Sequence, residues 1–301
     1  MLQMLRDFIR KKDTVEEVVP DIDFFLDDKN KQFFKENGYV VIKGVVTDTA
    51  IGYILEAYKQ LSSYEGFYES DGFITSANYG IAIQQEIHKT LSKVSVDVLP
   101  KIFDIRKIHY NLLNVLVLKF CKDKKEFFPH QDVPLVEESK GNTIFAWIPT
   151  TDIDDQNGSL LVLPGSHKHF RWQRTHDQGN SPLKNIHDEI LKHMIPVFLS
   201  KGDLILFDNS LIHASAPNRT NEVRIAMNTG IAPKNLPLIN YKLIDKDKNN
   251  IEKYFIDEQF WHDGLYIDPH YVPERYHPAI KERIRRTKYF SVDEFRRIIK
   301  K

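Results

Sequence analysis

The pattern of apolar and polar positions divides the chain near residue 105. Before that point the segments read as helices. DKNKQFFKEN (28–37) stops at Gly38, ILEAYKQLSSY follows Asp48 as a candidate cap, and EIHKTLSKVSVDVLPKIF forms a third. One strand, YVVIKGVV, follows Gly38. Beyond residue 105 the chain becomes a series of short β-rich runs: IHYNLLNVLVLKF, NTIFAWIPTTD, SLLVLPG, MIPVFLS, DLILFDN, LIHASAP and VRIAMNTGIA. DDQNG and KGD, both strong turn formers, are among their separators. Strands joined by turns, with no helices alternating between them, predict a mainly β antiparallel sandwich or barrel with flanking helices.

Two segments depart from this pattern. Residues 167–193 are polar, rich in His and Arg, and interrupt the strands, which predicts a lid-like or binding excursion. Residues 236–301 form a charged and aromatic C-terminal extension with a predicted helix in RIRRTKYFSVDEFRRIIKK, whose basic run reads as a solvated helix face. The organisation expected is a single domain over 1–301: helical support over 1–104, a β core over 105–235, and the extension.

Composition narrows the function. The 301 residues suffice for a large buried core. Lys plus Arg and Asp plus Glu balance at 42 each, leaving no net field to favour nucleic acid or an anionic membrane. Cys121 is the sole cysteine, so neither a disulfide framework nor a cysteine metal cluster is available. MLQMLRDFIRKKD is too interrupted by charge for a signal peptide, and no stretch has the length and apolarity of a membrane span. A cytoplasmic protein acting on a small molecule is expected.

Candidate chemistry lies in FFPHQDVPLV, where His130 and Asp132 stand two apart and project to one side of a strand. His-x-Asp alone is weak. The second half lies in DNSLIHASAPNRTNEVRIAMNTG. A hairpin centred between Asn218 and Arg219 would pair His213 with Arg224 and put Ser215 on the same face. A buried arginine there needs an anion. His130, Asp132 and His213 together make a two-His, one-carboxylate set for iron(II) with an open face. That leaves room for 2-oxoglutarate and O2, with Arg224 gripping the far carboxylate and Ser215 adding a hydrogen bond. Thr143, Phe145 and Trp147 alternate onto one face of NTIFAWIPTTD as an apolar wall for the cosubstrate. A zinc-dependent hydrolase or a catalytically inactive metal-binding β barrel fits the His and Asp residues as well.

PHQD, AWIPTTDIDDQNGSLLVLPGSH, KGDLILFDNSLIHASAPN and the Arg of NEVRIAMNTG, in that order, resemble the phytanoyl-CoA dioxygenase family of non-haem iron, 2-oxoglutarate-dependent oxygenases over roughly residues 30–235. The resemblance implies a double-stranded β-helix (jelly roll, cupin-like). It also implies the metal triad at His130, Asp132 and His213, with Arg224 and Ser215 on the 2-oxoglutarate carboxylate. LKFCKDKKEFFPHQD is similar to the bacterial small-molecule hydroxylases of that family, such as ectoine hydroxylase, which implies that Phe127 borders the cosubstrate or substrate. Related aliphatic halogenases carry a small residue in place of the triad carboxylate, so Asp132 favours oxidation without halide. His167 of PGSH is expected to fix a loop.

The activity these expectations add up to is hydroxylation of an unactivated C–H bond, with succinate and CO2 as co-products. Desaturation, cyclisation and epoxidation are alternatives by the same centre. The polar groups expected to orient substrate are Gln131, Arg171, Trp172 and Arg174.

Overall fold

The computed structural model describes residues 22–70, 72–121, 126–176, 181–245, 250–268, 271–283 and 288–300. MLQMLRDFIRKKD lies outside them. The first helix, α1 (Asp28–Asn37), starts where the Asp27 side chain accepts from the Asn30 N–H at 2.7 Å. It stops at Gly38, whose φ of 78° is one an L side chain rarely adopts. α2 (Asp48–Ser62) is capped by Thr47 and not by Asp48, which is already the first helical residue; Thr47 Oγ1 accepts from the Ala50 N–H at 3.1 Å. α3 (Ile81–Val98) begins before the expected Glu86, directly after Gly80, and gives way to a 3-10 turn over Leu99–Lys101.

Two antiparallel sheets make the core. The larger contains β1 (Tyr39–Ile42), β2 (Phe73–Thr75), β3 (Ile108–Lys119), β5 (Ile144–Pro149), β8 (Leu204–Asp208) and β10 (Arg224–Pro233), in the order β1-β8-β5-β10-β3-β2. The smaller contains β4 (Phe127–His130), β6 (Leu160–Val162), β7 (Ile195–Val197) and β9 (His213–Ser215), in the order β4-β9-β6-β7. From β3 to β10 the chain passes back and forth between the sheets, with β6 and β7 the one consecutive pair in the same sheet. That alternation is the winding of a jelly roll.

Alternation along the strands sorts side chains between two apolar clusters. Leu116, Leu118, Ile144, Ala146, Ile148, Leu204, Leu206 and Met227 pack outward against α2 and α3. Val115, Val117, Phe145, Trp147, Ile205, Phe207 and Ala226 face inward. The support helices thus stiffen the back of the sheet that carries the interior.

The hairpin expected between His213 and Arg224 does not form. β9 pairs with β4 and β6 in the smaller sheet, whereas β10 pairs with β3 and β5 in the larger. The polar link APNRTNE is a crossover, and Arg224 stands opposite Lys119.

The excursion holds a short helix, α4 (His187–Leu191). The extension forms a separate antiparallel sheet of β11 (Leu238–Asp245), β12 (Asn250–Ile256) and β13 (Ile280–Arg283), with α5 (Glu258–His262) after β12. The last helix, α6, covers Val292–Ile299 only, because Ser291 caps it; residues 284–287 of the predicted helix lie outside the described residues. Phe295 of α6 is buried with Phe170, Trp172, Ile186, Ile190, Ile212 and Phe290, and Arg296 pairs with Glu189 at 2.7 Å. The described part of the excursion therefore has an apolar core of its own, closed by the end of the chain.

Candidate metal and cosubstrate site

β4 and β9 pair so that His130 stands opposite His213, and their ring centroids lie 4.2 Å apart. Each imidazole is oriented from its own strand. His130 Nδ1 lies 3.0 Å from the Phe128 carbonyl, and His213 Nδ1 lies 3.0 Å from that of Leu211. A carbonyl only accepts, so both Nδ1 atoms carry the proton and both Nε2 atoms present a lone pair. Those Nε2 atoms sit 3.8 Å (His130) and 3.6 Å (His213) from the Asp132 carboxylate. Among the described residues this is the one group of three or more His, Cys, Asp or Glu placed to share a metal ion. Burial holds the His130 pKa at about 3, helped by His213, and that of His213 at about 4, while burial raises Asp132. Neutral imidazoles are the form a metal binds.

The carboxylate is held by its backbone. Asp132 N–H donates to the Asn209 carbonyl at 3.0 Å, and Arg174 Nε donates to the Asp132 carbonyl at 2.7 Å. Arg174 is itself fixed by a buried fork onto Glu138, with Nη1 on Oε2 at 2.8 Å and Nη2 on Oε1. Gln131 Nε2 donates to the carbonyls of Phe170, at 2.5 Å, and Ser210. Arg171 donates to the carbonyls of His167 at 2.8 Å and Glu138 at 3.0 Å and to Asn142 Oδ1 at 3.1 Å, and Trp172 lies in the apolar core of the excursion. The four residues expected to orient substrate thus bind this chain's own backbone or pack beneath the excursion. Arg174 braces the Asp132 backbone, and Gln131 ties the neighbouring residue to the Phe170 and Ser210 carbonyls.

His167 has the role expected of it. It is buried, its Nε2 lies 3.2 Å from the Lys35 carbonyl, and a Cβ on Gly38 would come within 2.4 Å of its ring.

A second polar cluster lies two residues along β9. Lys119 ends the inward-facing series Val115, Val117, Lys119 on β3 and stands opposite Arg224. It is fully buried, and Nζ donates to Ser215 Oγ at 2.9 Å and to the Ser215 carbonyl at 3.3 Å. Having accepted from lysine, the Ser215 hydroxyl has its own proton to donate. Arg224 Nη1 donates to the Gly158 carbonyl, and its guanidinium carbon lies 5.1 Å from the centre of the Trp147 ring. Gly158 has φ of 86°, and a Cβ there would meet Lys119 Cδ at 3.0 Å and the Ala216 carbonyl at 3.1 Å. The glycine of the NG turn lets three strands close on the two cations. Two buried cations beside a hydroxyl donor fit the far carboxylate of a dicarboxylic cosubstrate. Lys119 was not among the expected site residues; the alternation of β3 is the signal that marks it.

The wall expected from β5 is also in place. Phe145 packs 6.1 Å from Phe207, which lies 4.7 Å from His213, and Trp147 stands opposite Asn228 of β10. The Thr143 carbonyl accepts from the Asn209 N–H at 3.0 Å. Phe127 stacks on Phe73 at 4.3 Å and meets His130 edge-on at 4.7 Å, so it borders the metal end.

The sequence model of the family described as Phytanoyl-CoA dioxygenase (PhyH) matches residues 34–226. Among curated proteins, the chain is similar to peroxisomal phytanoyl-CoA dioxygenase of Bos taurus, 25% identical over 254 residues (76% of this chain, 74% of the relative). It is also similar to that of Homo sapiens, 27% identical over 253 residues (75% and 73%). Among solved structures, HygX from Streptomyces hygroscopicus with nickel and 2-oxoglutarate bound gives a TM-score of 0.49 at 15% identity, covering 69% of this chain and 88% of that one. EctD from S. alaskensis with 2-oxoglutarate and 5-hydroxyectoine gives 0.48 at 18% identity, covering 74% and 83%.

Proposed function

The chain belongs to the phytanoyl-CoA dioxygenase family of iron- and 2-oxoglutarate-dependent oxygenases, and from that premise we propose that it hydroxylates an unactivated C–H bond of a small molecule. The observation that carries the reading is the two-part site. Two histidines with Nε2 turned to one carboxylate occupy one end of β4 and β9, and a buried Lys–Arg pair around Ser215 lies two residues along β9.

In this reading His130, Asp132 and His213 hold iron(II), which with 2-oxoglutarate and O2 supplies the oxidising power and leaves succinate and CO2 as co-products. Arg224 and Lys119 neutralise the far carboxylate of 2-oxoglutarate, and Ser215 donates to it. Trp147, Phe145 and Phe127 shield that region from water, which strengthens each charged contact. Asp132 keeps the third protein position on the metal filled, so no halide is needed to complete the set. No helix among the described residues is long and apolar enough to cross a membrane.

The test begins without oxygen. Addition of iron(II) and 2-oxoglutarate to the folded protein should produce a weak visible charge-transfer band, and admitting O2 should release succinate. Asp132→Ala should abolish both. A folded wild-type protein with no band, or an Asp132→Ala variant with full iron-dependent turnover, sinks the assignment.

A further inference from the structure

The donor groups in the C-terminal extension have no role in the site described so far. Leu238, Asn240 and Lys242 alternate onto one face of β11, and Ile239 and Tyr241 pack on the other with Ile251. The first face turns toward the jelly roll, because Leu238 shares the inward-facing cluster with Trp261 and Tyr266. β11 also runs beside the loop that leaves the metal carboxylate: Ile239 N–H donates to the carbonyl of Leu135, three residues after Asp132, at 2.8 Å.

Three aromatic rings meet at this face. Trp261 of α5 and Tyr266 have centroids 5.6 Å apart, and His176 stacks on Tyr266 at 5.7 Å and 27° and lies 6.5 Å from Trp261. His176 is two residues past Arg174, the side chain that holds the Asp132 carbonyl. Lys242 Nζ donates to the carbonyl of Asp268, two residues past Tyr266, and its charge acts on His176. The extension and the end of the excursion thus come together close to the metal segment.

Three buried polar atoms without a partner gather in this one group beside a lysine. Asn240 is 2% exposed, Trp261 1% and Tyr266 5%, yet Asn240 Nδ2, Trp261 Nε1 and Tyr266 Oη have no hydrogen-bond partner. Buried donors left in that condition call for an explanation, and here three of them converge on one face. The indole N–H is a donor only, the amide nitrogen donates, the phenol can donate, and the ammonium of Lys242 adds positive charge. The acid opposite Lys242, Glu252, already accepts from Tyr254 Oη.

We propose that Asn240, Lys242, Trp261 and Tyr266 form a recess for an anionic head group, a carboxylate, sulfate or phosphate, by which the extension holds the substrate while the jelly roll oxidises it. This rests on the oxygenase reading above and adds the substrate class to it. The His176 ring stacks on Tyr266 at the edge of this group. Burial holds the Lys242 pKa at about 8 against the opposing pull of the Asp268 charge, and an anion beside it favours the charged form further.

The test uses the full chain carrying Arg224→Met, so that the cosubstrate end does not report on added anions. Acetate, sulfate and phosphate are titrated at constant ionic strength against chloride, with binding read by calorimetry and thermal stabilisation. At least one should bind saturably, and the tightest identifies the head group. Lys242→Met should weaken that binding tenfold or more. Tyr266→Phe, which keeps the ring and its packing, should weaken it about threefold and serves if the lysine variant fails to fold. Saturable binding by none of the anions, or unchanged binding in the folded variants, overturns the recess. The charge-transfer band in the wild-type chain separates the two ideas: with the band present and no anion binding, the recess alone fails; with the band absent, the oxygenase reading fails.

Discussion

The donors that orient the metal ligands and those gathered in the C-terminal extension differ in how they are matched, although Trp147 Nε1 and Thr143 Oγ1 of the jelly roll also lack a partner. Around the metal ligands, donors are matched to backbone carbonyls: both His Nδ1 atoms, Gln131 Nε2 and Arg174 Nε all point at one. In the extension, Asn240 Nδ2, Trp261 Nε1 and Tyr266 Oη are buried without a partner. The first arrangement fixes side chains before anything binds, as a metal site requires. The second leaves bonds to be made by whatever arrives. On the proposed reading, the jelly roll carries the reaction centre and the extension's separate sheet carries substrate recognition.

The sharpest way to break this comparison is to remove a charge from the matched end. Arg224→Met should weaken 2-oxoglutarate binding on the order of 100-fold, the scale of losing one partner of a buried charge pair. Lys119→Met should weaken it about tenfold, as for one charge-assisted hydrogen bond. Titrating the charge-transfer band with 2-oxoglutarate measures both, and metal affinity should stay near that of the parent. If Lys119→Met left cosubstrate binding unchanged, the lysine would serve only to tie β3 to β9.

A smaller effect is expected from the brace behind Asp132. Arg174→Met should lower iron affinity about tenfold, the lower end for residues that orient a metal ligand without touching the metal, with a lesser change in the 2-oxoglutarate constant. Competition with a coloured chelator reads the metal constant directly. An unchanged constant in a folded variant would show that the Asn209 carbonyl alone holds the Asp132 segment.

These residues also show what the chain discloses locally. The seven β-rich runs and their turns were legible, since alternation and turn formers are properties of neighbours in sequence. The triad was legible because two ligands share His-x-Asp and the third stands on a strand that ends in a polar turn. The sheet to which β10 belongs was not: APNRTNE looks like a hairpin turn, and only the packing of β3 against β10 makes it a crossover. Arg171, Trp172 and Arg174 suggested a ligand-binding surface because a His- and Arg-rich loop ordinarily lies in solvent. Their burial depends on Glu138, Phe290 and Phe295, which stand far along the chain in both directions. Lys119 was hidden for a simpler reason, that a lysine closing an apolar run resembles the end of a strand reaching water. The recess in the extension needs β11, α5 and the end of the excursion at once, and no local pattern joins them.

The remaining test, which reads stability and not binding and probes how the two regions are joined, concerns His88. It is buried on α3, its Nδ1 has no partner, and its ring lies 4.8 Å from that of His262 on α5, where the support helices meet the extension. Burial, and then the His262 ring, lower its pKa from the ordinary 6.5 to about 4. The unfolded chain therefore takes up this proton first as pH falls. The stability tied to the neutral ring is complete above about pH 6.5 and is lost on acidification toward pH 4, with a span of roughly 3 kcal/mol. His88→Gln has no proton to gain, so its denaturation midpoint should fall less than the parent's between pH 6.5 and 4.5. Hydrogen exchange should place the parent's loss at α5 and β11 before β5 and β8, because the proton enters at the joint and the jelly roll has its own core. Equal acid losses in parent and variant would mean that the extension is held to the support by its apolar contacts alone.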